Sequence, residues 1–420
     1  MSIIGGGFSG LYLGILLKLK GINCKIFNSG TGASQFWVGT MDFLDYHHNK
    51  DLESSFNEFK KETPHHPYGY LNFNQINRAF IEFSSQFPEF TFSIENNKIT
   101  NKYVLTTLGN LKPCVGMWNT IFHEFEKLDN NSIVILVDFS EFNNDAMYLV
   151  AKNLKETFSC TYKILKLSLK KLFDYWDENE DQTEIKGKLS EYRIANYFDT
   201  HSDKVNILGD YIQKELKNQN PEINFDKISS ILYPPILGLK AERKIINRLS
   251  KYLKIECREL VALSPSLMSK RFNNSISEKV KELEIPIHNN FTLIEFDKID
   301  DQDTYWKLKF LNKDGKIINV RSRFLVFAVG TLFQEGAFAE LTEFKELCEK
   351  NSISIPNKLS CSFELLFNNN KNSNIFVCGS ALFSFMKHLN DEDEIKYGTG
   401  LGLSIVSGAH IAAQLEKTIL

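Results

Sequence analysis

The sequence predicts an α/β protein in which the two ends of the chain form one parallel sheet and the middle forms an inserted α+β region. Three observations support this fold class. A glycine-rich turn follows the first apolar residues, two apolar strands late in the chain end in glycine, and a glycine-opened helix closes the sequence. With 420 residues, the chain is long enough for two or three domains.

The amino-terminal element is a strand–turn–helix–strand unit. Its parts are a short strand at 3–4, a turn at 5–10 (GGGFSG), a buried helix at 11–20 and a second strand at 22–27. Gly5, Gly7 and Gly10 match G-x-G-x-x-G, whose glycines allow a tight turn, close approach of a pyrophosphate and packing of helix on strand. The unit predicts a Rossmann-like domain that binds a nucleotide at the helix N-terminus, where Phe8 and Ser9 lie. The first strand is so short that an upstream start stays open.

The end of the second strand carries Asn28, where a dinucleotide-binding protein normally has an acid that accepts hydrogen bonds from ribose hydroxyls. An asparagine can accept one such bond but has no charge. Three interpretations stay open at this point. The ribose of a dinucleotide is held more loosely, the ligand is a mononucleotide, or Asn28 is only a turn residue.

The middle of the chain has a different pattern. Residues 46–265 contain a helix at 74–87, an apolar strand at 132–137 and an amphipathic helix at 145–156, separated by polar and proline-containing loops. We find no internal repeat and no low-complexity linker. We therefore predict that 46–265, together with 336–371, form an inserted cap or substrate domain.

The carboxyl-terminal part returns to the first pattern. Residues 285–296 predict a strand, and residues 306–310 alternate as in a half-buried strand before a turn at 312–315. Two fully apolar strands then end in Gly330 and Gly379, as in a parallel sheet. Gly398, Gly400 and Gly402 open a final helix. The nucleotide-binding domain is thus predicted to be discontinuous, built from 1–45, 266–335 and 372–420.

In this order, the glycine elements match flavoproteins of the two-dinucleotide-domain type, in which they close over the flavin. We expect FAD as the cofactor, with FMN as the alternative. The candidate cofactor-binding residues share a place in these turns or in the loop after the second strand. They are Gly5, Gly7, Phe8, Ser9, Gly10, Asn28, Ser34, Gly39, Thr40, Gly330, Gly379, Gly398, Gly400 and Gly402.

Composition excludes several classes of function. The 49 basic and 52 acidic residues give a net charge of −3, which argues against a general nucleic-acid binder. Seven scattered cysteines contain no C-x-x-C, so we expect no zinc or iron–sulfur site in this chain, and no other metal site is indicated. No apolar stretch is long enough to span a membrane, and no signal peptide is predicted. The sequence therefore suits a reducing, cytoplasmic compartment.

Several short motifs resemble the family of the B subunit of anaerobic glycerol-3-phosphate dehydrogenase. They are the turn at 5–11, residues 35–44 (QFWVGTMDFL), 106–113 (TTLGNLKP), 235–239 (PILGL), 264–271 (SPSLMSKR) and the glycine-opened final helix. The element 108–113 is the most specific, because general flavoproteins lack it. The chain departs from the family in the asparagine-rich residues 362–371.

The resemblance implies a function and partners. Members of the family work with a second flavoprotein subunit and an iron–sulfur subunit that anchors the complex to the membrane. Together the subunits oxidise glycerol 3-phosphate to dihydroxyacetone phosphate and pass electrons toward quinone. The resemblance therefore implies a cytoplasmic protein that associates peripherally with the inner face of the membrane through its partners.

Oxidation of a secondary alcohol by a flavin requires a base near the hydroxyl group and cations near the phosphate. Lys112 and Arg271 are the candidate cations, because both lie in family-like motifs, and a structural role is the alternative for each. His388 follows the Gly379 strand and is the candidate residue over the flavin ring. The pair His65–His66 suggests a metal only weakly, since no third ligand has a suitable spacing.

Two other functions remain open from the sequence. One is a free-standing flavin oxidoreductase that acts on another small alcohol or acid. The other is a scaffold subunit that has kept the fold but lost the flavin, which the absence of an acid at Asn28 would allow.

Overall fold

The computed structural model describes residues 1–44, 51–125, 128–142, 146–176, 190–201, 204–240, 242–300, 304–330, 342–350, 356, 358–367, 373–383, 385 and 400–419. Its α-helices are α1 (Phe8–Leu19), α2 (Leu52–Glu62), α3 (Phe73–Gln86), α4 (Ala146–Thr157), α5 (Leu169–Trp176), α6 (Glu191–Thr200), α7 (Val205–Gln219), α8 (Glu242–Leu253), α9 (Leu267–Glu282), α10 (Thr342–Lys350) and α11 (Leu401–Ile419).

The strands form several sheets. They are β1 (Ser2–Ile4), β2 (Lys25–Asn28), β3 (Thr40–Met41), β4 (Phe90–Phe92), β5 (Ile94–Glu95), β6 (Lys98–Ile99), β7 (Lys102–Leu105), β8 (Leu111–Cys114), β9 (Gly116–Trp118), β10 (Ile133–Phe139), β11 (Thr161–Leu167), β12 (Ile228–Tyr233), β13 (Glu256–Glu259), β14 (Ile287–Asn289), β15 (Phe291–Asp300), β16 (Thr304–Asn312), β17 (Ile317–Ser322), β18 (Leu325–Phe327), β19 (Lys358–Leu359), β20 (Leu365–Leu366) and β21 (Ile375–Val377).

A five-stranded parallel sheet joins the two ends of the chain, in the order β14-β2-β1-β18-β21. Ile4 at the end of β1 pairs with Phe27 on one side and Phe327 on the other. Because both neighbours of β1 run parallel to it, their carboxyl ends meet at the same edge of the sheet. The glycine turn after β1 therefore opens at this edge, and the predicted α/β fold class is confirmed.

Two layers cover this sheet. Helices α1 and α11 pack against each other, and a Cβ atom at Gly408 would lie 3.3 Å from the Tyr12 ring, so the helices approach closely. The antiparallel sheet β15-β16-β17 packs near the same core through Phe310, whose ring centroid is 3.9 Å from that of Phe27. The strand predicted at 285–296 is in fact two strands, because Asn290 between β14 and β15 has φ of +63°.

The inserted region contains a second parallel sheet, in the order β11-β10-β12-β13, besides small antiparallel sheets such as β3-β9-β4. Helix α4 connects β10 to β11, and α8 connects β12 to β13, so the connections follow the usual βαβ pattern. The apolar residues on the two faces of this sheet form two clusters that are distinct from the core around the first sheet. The inserted region is thus an α/β unit with added antiparallel elements.

Six of the seven cysteines are buried, and Cys361 is exposed. Burial raises the pKa of Cys24 to about 11 and that of Cys257 and Cys378 to about 12, so these thiols are protonated at neutral pH. They pack as small apolar side chains. None of the helices in the described parts of the chain is long and apolar enough to cross a membrane.

Candidate functional site

A cavity of about 530 Å³ lies at the carboxyl edge of the first parallel sheet. Its walls come from the turn after β1, the loop after β2, the start of β15, the end of β18 and the first turn of α11. The described lining residues are Ile4, Gly5, Gly6, Gly7, Phe8, Ser9, Phe27, Asn28, Ser29, Gly30, Thr31, Gly32, Ala33, Ser34, Phe36, Trp37, Phe291, Thr292, Leu293, Ala328, Val329, Gly330, Leu347, Ser380, Gly400, Leu401 and Ser404.

The glycine turn gives the cavity its floor. Gly5 has φ of +115°, and a Cβ atom there would lie 2.2 Å from the carbonyl oxygen of Ala328. A Cβ atom at Gly10 would lie 2.0 Å from the carbonyl oxygen of Gly5, so only glycine lets α1 start this close to β1. Gly7 is the N-cap of α1. No side chain caps this end of the helix, and its first turn contains no acidic residue. The first N–H groups of α1 are therefore available to an anion.

The amide of Asn28 holds the loop that follows β2. Its Oδ1 accepts a hydrogen bond from the backbone N–H of Gly30, and its Nδ2 donates to Oδ1 of Asn289. Its side chain also fills the space beside Gly6, where a Cβ atom would lie 2.4 Å from the Asn28 Cγ. Asn28 thus shapes the cavity wall beside the glycine turn, and its amide oxygen is already engaged.

The two helices that point at the cavity meet through serine side chains. The hydroxyls of Ser9 and Ser404 lie 2.7 Å apart, which joins the first turn of α1 to the first turns of α11. Gly379, with φ of +70°, packs against this pair, and a Cβ atom there would lie 2.0 Å from Ser9 Oγ. The N–H of Gly379 donates to Ser407 Oγ. Gly379 therefore allows the contact between the helices without lining the cavity.

Among the sequence-predicted cofactor residues, those that line the cavity are Gly5, Gly7, Phe8, Ser9, Asn28, Ser34, Gly330 and Gly400. The other described residues of this set are not part of the lining; they are Gly10, Gly39, Thr40, Gly379 and Gly402. Gly39 has φ of +115° and packs against Ile121 and Met268, and Gly402 packs against the carbonyl oxygen of Asp42. Gly398 and the candidate catalytic residue His388 lie outside the described residues.

The sequence did not single out several lining residues. Ser404 follows Gly400 by one helical turn, a spacing that could have indicated it. Phe36 and Trp37 lie in a 3₁₀ turn and the residue after it, and residues 291–293 begin β15. No local motif marks these residues, because they reach the cavity only through the arrangement of the sheets.

The structure brings two of the predicted residues together. The ammonium group of Lys112 on β8 donates to Thr40 Oγ1 at 2.7 Å and forms an ion pair with Asp42 Oδ2 at 2.8 Å. Thr40 is buried, and its carbonyl oxygen accepts a hydrogen bond from the indole N–H of Trp37, a cavity-lining residue. Lys112 is thus anchored just behind the cavity wall.

Arg271 is not brought to the cavity. It lies on α9 with its guanidinium fully buried against the carboxylate of Glu259, at the end of β13. Glu259 also accepts hydrogen bonds from Thr120 Oγ1 and the Leu237 N–H, and Arg271 Nε donates to the carbonyl oxygen of Gly238. This buried cluster joins α9 to the second parallel sheet. The place of Arg271 is therefore that of a structural ion pair, which the sequence had kept as the alternative.

The two adjacent histidines in the loop after α2, His65 and His66, have different surroundings. His65 is exposed, whereas His66 is buried, and its Nδ1 accepts the backbone N–H of Tyr68. The ring of His66 packs against those of Phe59 and Tyr68. No group of three or more residues able to hold a metal occurs within the described ranges.

Comparisons with known proteins agree with a nucleotide site at this cavity. Residues 2–175 match the family model described as FAD binding domain. Proteins named as the B subunit of anaerobic glycerol-3-phosphate dehydrogenase are similar over the full length. The protein of Actinobacillus pleuropneumoniae serotype 5b (strain L20) is 23% identical, and the match covers 99% of this chain and 98% of that protein. The protein of Aliivibrio fischeri (strain ATCC 700601 / ES114) is 20% identical, and the match covers 99% of this chain and 95% of that protein.

Solved structures with similar features are more distant. A 3-ketosteroid delta1-dehydrogenase from Sterolibacterium denitrificans is 9% identical with a TM-score of 0.30, over 88% of this chain and 52% of that chain, so this chain spans about half its length. A thioredoxin reductase from T. acidophilum is 11% identical with a TM-score of 0.18, and the match covers 99% of this chain and 97% of that chain.

The residues present fit FAD. At the lining residues Gly30, Gly330 and Gly400 a Cβ atom would meet no protein atom within 4 Å, so these positions leave open space for a ligand. The uncapped start of α1 suits a diphosphate. The cavity extends from the loop after β2 and the start of β15 to the first turn of α11, so it reaches well to both sides of the glycine turn.

Proposed function

We propose that this chain oxidises glycerol 3-phosphate to dihydroxyacetone phosphate, because residues 2–175 match an FAD binding domain and proteins named as the B subunit of anaerobic glycerol-3-phosphate dehydrogenase are similar to it over the full length. The observation that carries this proposal is the cavity at the sheet edge, in which the glycine floor, the α1 N-terminus and the first turn of α11 converge. When bound, FAD supplies the acceptor for the hydride. The chain itself supplies position, charge and exclusion of water.

The roles of the chain's own residues follow from their places. The N–H groups at the start of α1 would bind the diphosphate, and Ser9 and Ser404 would hold the two helix ends in register around it. The loop from Asn28 to Ser34 and the start of β15 would contact the adenosine half, which favours FAD over FMN. The buried side chain of Trp37 forms an apolar part of the wall that would help to exclude water from the reacting centre.

We further propose that the chain works in a complex. Its relatives are named as a subunit, which supports partner subunits, and we take these to be a second flavoprotein and an iron–sulfur subunit that anchors the complex at the inner face of the membrane. Electrons would then pass from FAD toward quinone. A tagged chain isolated from its source cells is expected to co-purify with a second flavoprotein and a cysteine-rich subunit. A chain that elutes alone at every salt concentration would contradict this proposal.

The activity itself can be tested on the purified chain. The absorbance spectrum should show a bound flavin, and mass analysis of the released cofactor should identify FAD. Anaerobic addition of glycerol 3-phosphate is expected to bleach the flavin absorbance, whereas glycerol, which lacks the phosphate, should not. Bleaching by other small alcohols but not by glycerol 3-phosphate would favour a free-standing oxidoreductase. A colourless chain that takes up no FAD would favour the flavin-dead scaffold.

A further inference from the structure

In the part of the chain that the structure describes, the wall of the cavity has no side chain that can take up a proton readily. None of its described lining residues is an acid, a base or a histidine. Oxidation of a secondary alcohol nevertheless releases the hydroxyl proton, and a positioned base accelerates this step by about 10²–10⁴-fold. If glycerol 3-phosphate is the substrate, a base among the described residues must come from those that stand next to the lining.

Asp42 is one carboxylate that the described structure places next to the lining. Its backbone carbonyl packs on the first turn of α11, where a Cβ atom at Gly402 would lie 2.2 Å from it. The neighbouring helix residue, Leu401, lines the cavity. On the other side, Thr40 is tied to the cavity-lining Trp37 by the indole hydrogen bond of 2.7 Å. The segment that carries Asp42 is therefore in contact with two elements of the wall.

The two oxygens of the Asp42 carboxylate have different surroundings. Oδ2 is paired with the Lys112 ammonium group, which is itself fixed by Thr40 Oγ1. Oδ1 is enclosed and has no hydrogen-bond partner among the described residues. The same is true of the hydroxyl of the fully buried Tyr68, whose pKa is raised by burial first and by the charge of Asp42 second. The Asp42 side chain as a whole is 47% exposed, so a ligand can approach the carboxylate, and a donor from the ligand would satisfy the oxygen that lacks a partner.

We propose that Asp42 accepts the hydroxyl proton of the substrate, and that Lys112 and Thr40 position its carboxylate. The inference rests on the proposed function. In this step the O–H proton passes to Asp42, the C–H bond breaks with its electron pair leaving as hydride to the bound FAD, and the carbon–oxygen bond becomes double. The alcohol is oxidised to a ketone, and FAD is reduced by two electrons. Asp42 then returns the proton to solvent.

The decisive variant is Asp42→Asn, which keeps the shape and removes the base. We expect an unchanged FAD content and a rate of anaerobic flavin reduction by glycerol 3-phosphate lowered by about 100-fold or more. Titration calorimetry measures the binding of the product, dihydroxyacetone phosphate, without turnover. Its dissociation constant should change by less than about threefold, which corresponds to ~0.6 kcal/mol, the size of one weak contact. Asp314→Asn, in the exposed turn after β16, is the control and should match the wild type.

The outcomes separate the two proposals. Reduction of Asp42→Asn at the wild-type rate overturns the assignment, and so does a loss of both FAD and product binding, which would show a structural role. If Asp42→Asn does not fold, Asp42→Glu keeps the charge but shifts the carboxylate, and an unchanged rate in that variant also overturns it. A wild-type chain that neither binds the product nor is reduced by glycerol 3-phosphate overturns the proposed function as well.

The positioning residue has its own test. Lys112→Met should lower the reduction rate while leaving product binding nearly unchanged, and Lys112→Arg should restore part of the rate, because it returns a cation beside Asp42. Equal rates in Lys112→Met and the wild type would overturn the role given to Lys112.

Discussion

Replacing Arg271 by methionine is expected to lower the free energy of unfolding by about 3–5 kcal/mol, because it leaves the Glu259 carboxylate buried without its cation. Both side chains are 0% exposed, and the guanidinium reaches both carboxylate oxygens, at 2.5 and 3.0 Å. Urea denaturation followed by circular dichroism measures the change. A loss of less than about 1 kcal/mol, the value of a surface ion pair, would contradict this account.

The double variant Arg271→Met/Glu259→Leu is the matched control. It removes both charges, so it should recover much of the lost stability, as replacement of buried ion pairs by apolar residues often does. The folded fraction of Arg271→Met should also keep its FAD and its rate of flavin reduction, because the pair lies away from the cavity. A slow but fully stable Arg271→Met would instead support the catalytic role first inferred from the motif.

The second large effect is expected at Gly10. In Gly10→Ala the new Cβ atom would lie 2.0 Å from the backbone oxygen of Gly5, and neither backbone can move alone. Helix α1 must then shift away from β1, which displaces the N–H groups that face the cavity. We expect FAD binding to weaken by at least about tenfold, which corresponds to ~1.4 kcal/mol.

Gly14→Ala provides the comparison for Gly10→Ala. Gly14 lies one turn further along α1 and does not line the cavity, and a Cβ atom there would come closest to the end of the Ile26 side chain, at 3.0 Å, so its FAD content should equal that of the wild type. The ratio of bound flavin to protein after dialysis measures both variants, and circular dichroism checks that each is folded. A Gly10→Ala chain that keeps the flavin ratio of the wild type would show that the close contact at Gly10 is not required.

The parts of the site that could be predicted from sequence depend on neighbouring residues. Gly5, Gly7 and Gly10 lie within one turn, and their spacing alone indicates how β1 meets α1. The late strands ending near Gly330 and Gly379 were recognisable because a strand buried on both faces is continuously apolar. These elements are enough to predict the α/β fold and a nucleotide at the sheet edge.

The parts that could not be predicted depend on distant residues. Arg271 was identified by its motif, but its role depends on Glu259, which ends a strand of another sheet. That sheet was not foreseen as parallel, because β13 reads as Glu-Cys-Arg-Glu and looks like a polar loop. Likewise, Lys112 was identified without its partner Asp42, since β8 and the loop after β3 meet only in the fold.

The contact between Ser9 and Ser404 has a consequence for biosynthesis. The two residues are 395 positions apart, so a ribosome that adds about 5–20 residues per second needs roughly 20–80 s between them. During that time the nascent chain has the glycine turn but lacks the helix that completes the cavity, whereas the second parallel sheet is already fully synthesised. FAD capture is therefore a late event, and chains interrupted before α11 should leave the ribosome as apoprotein.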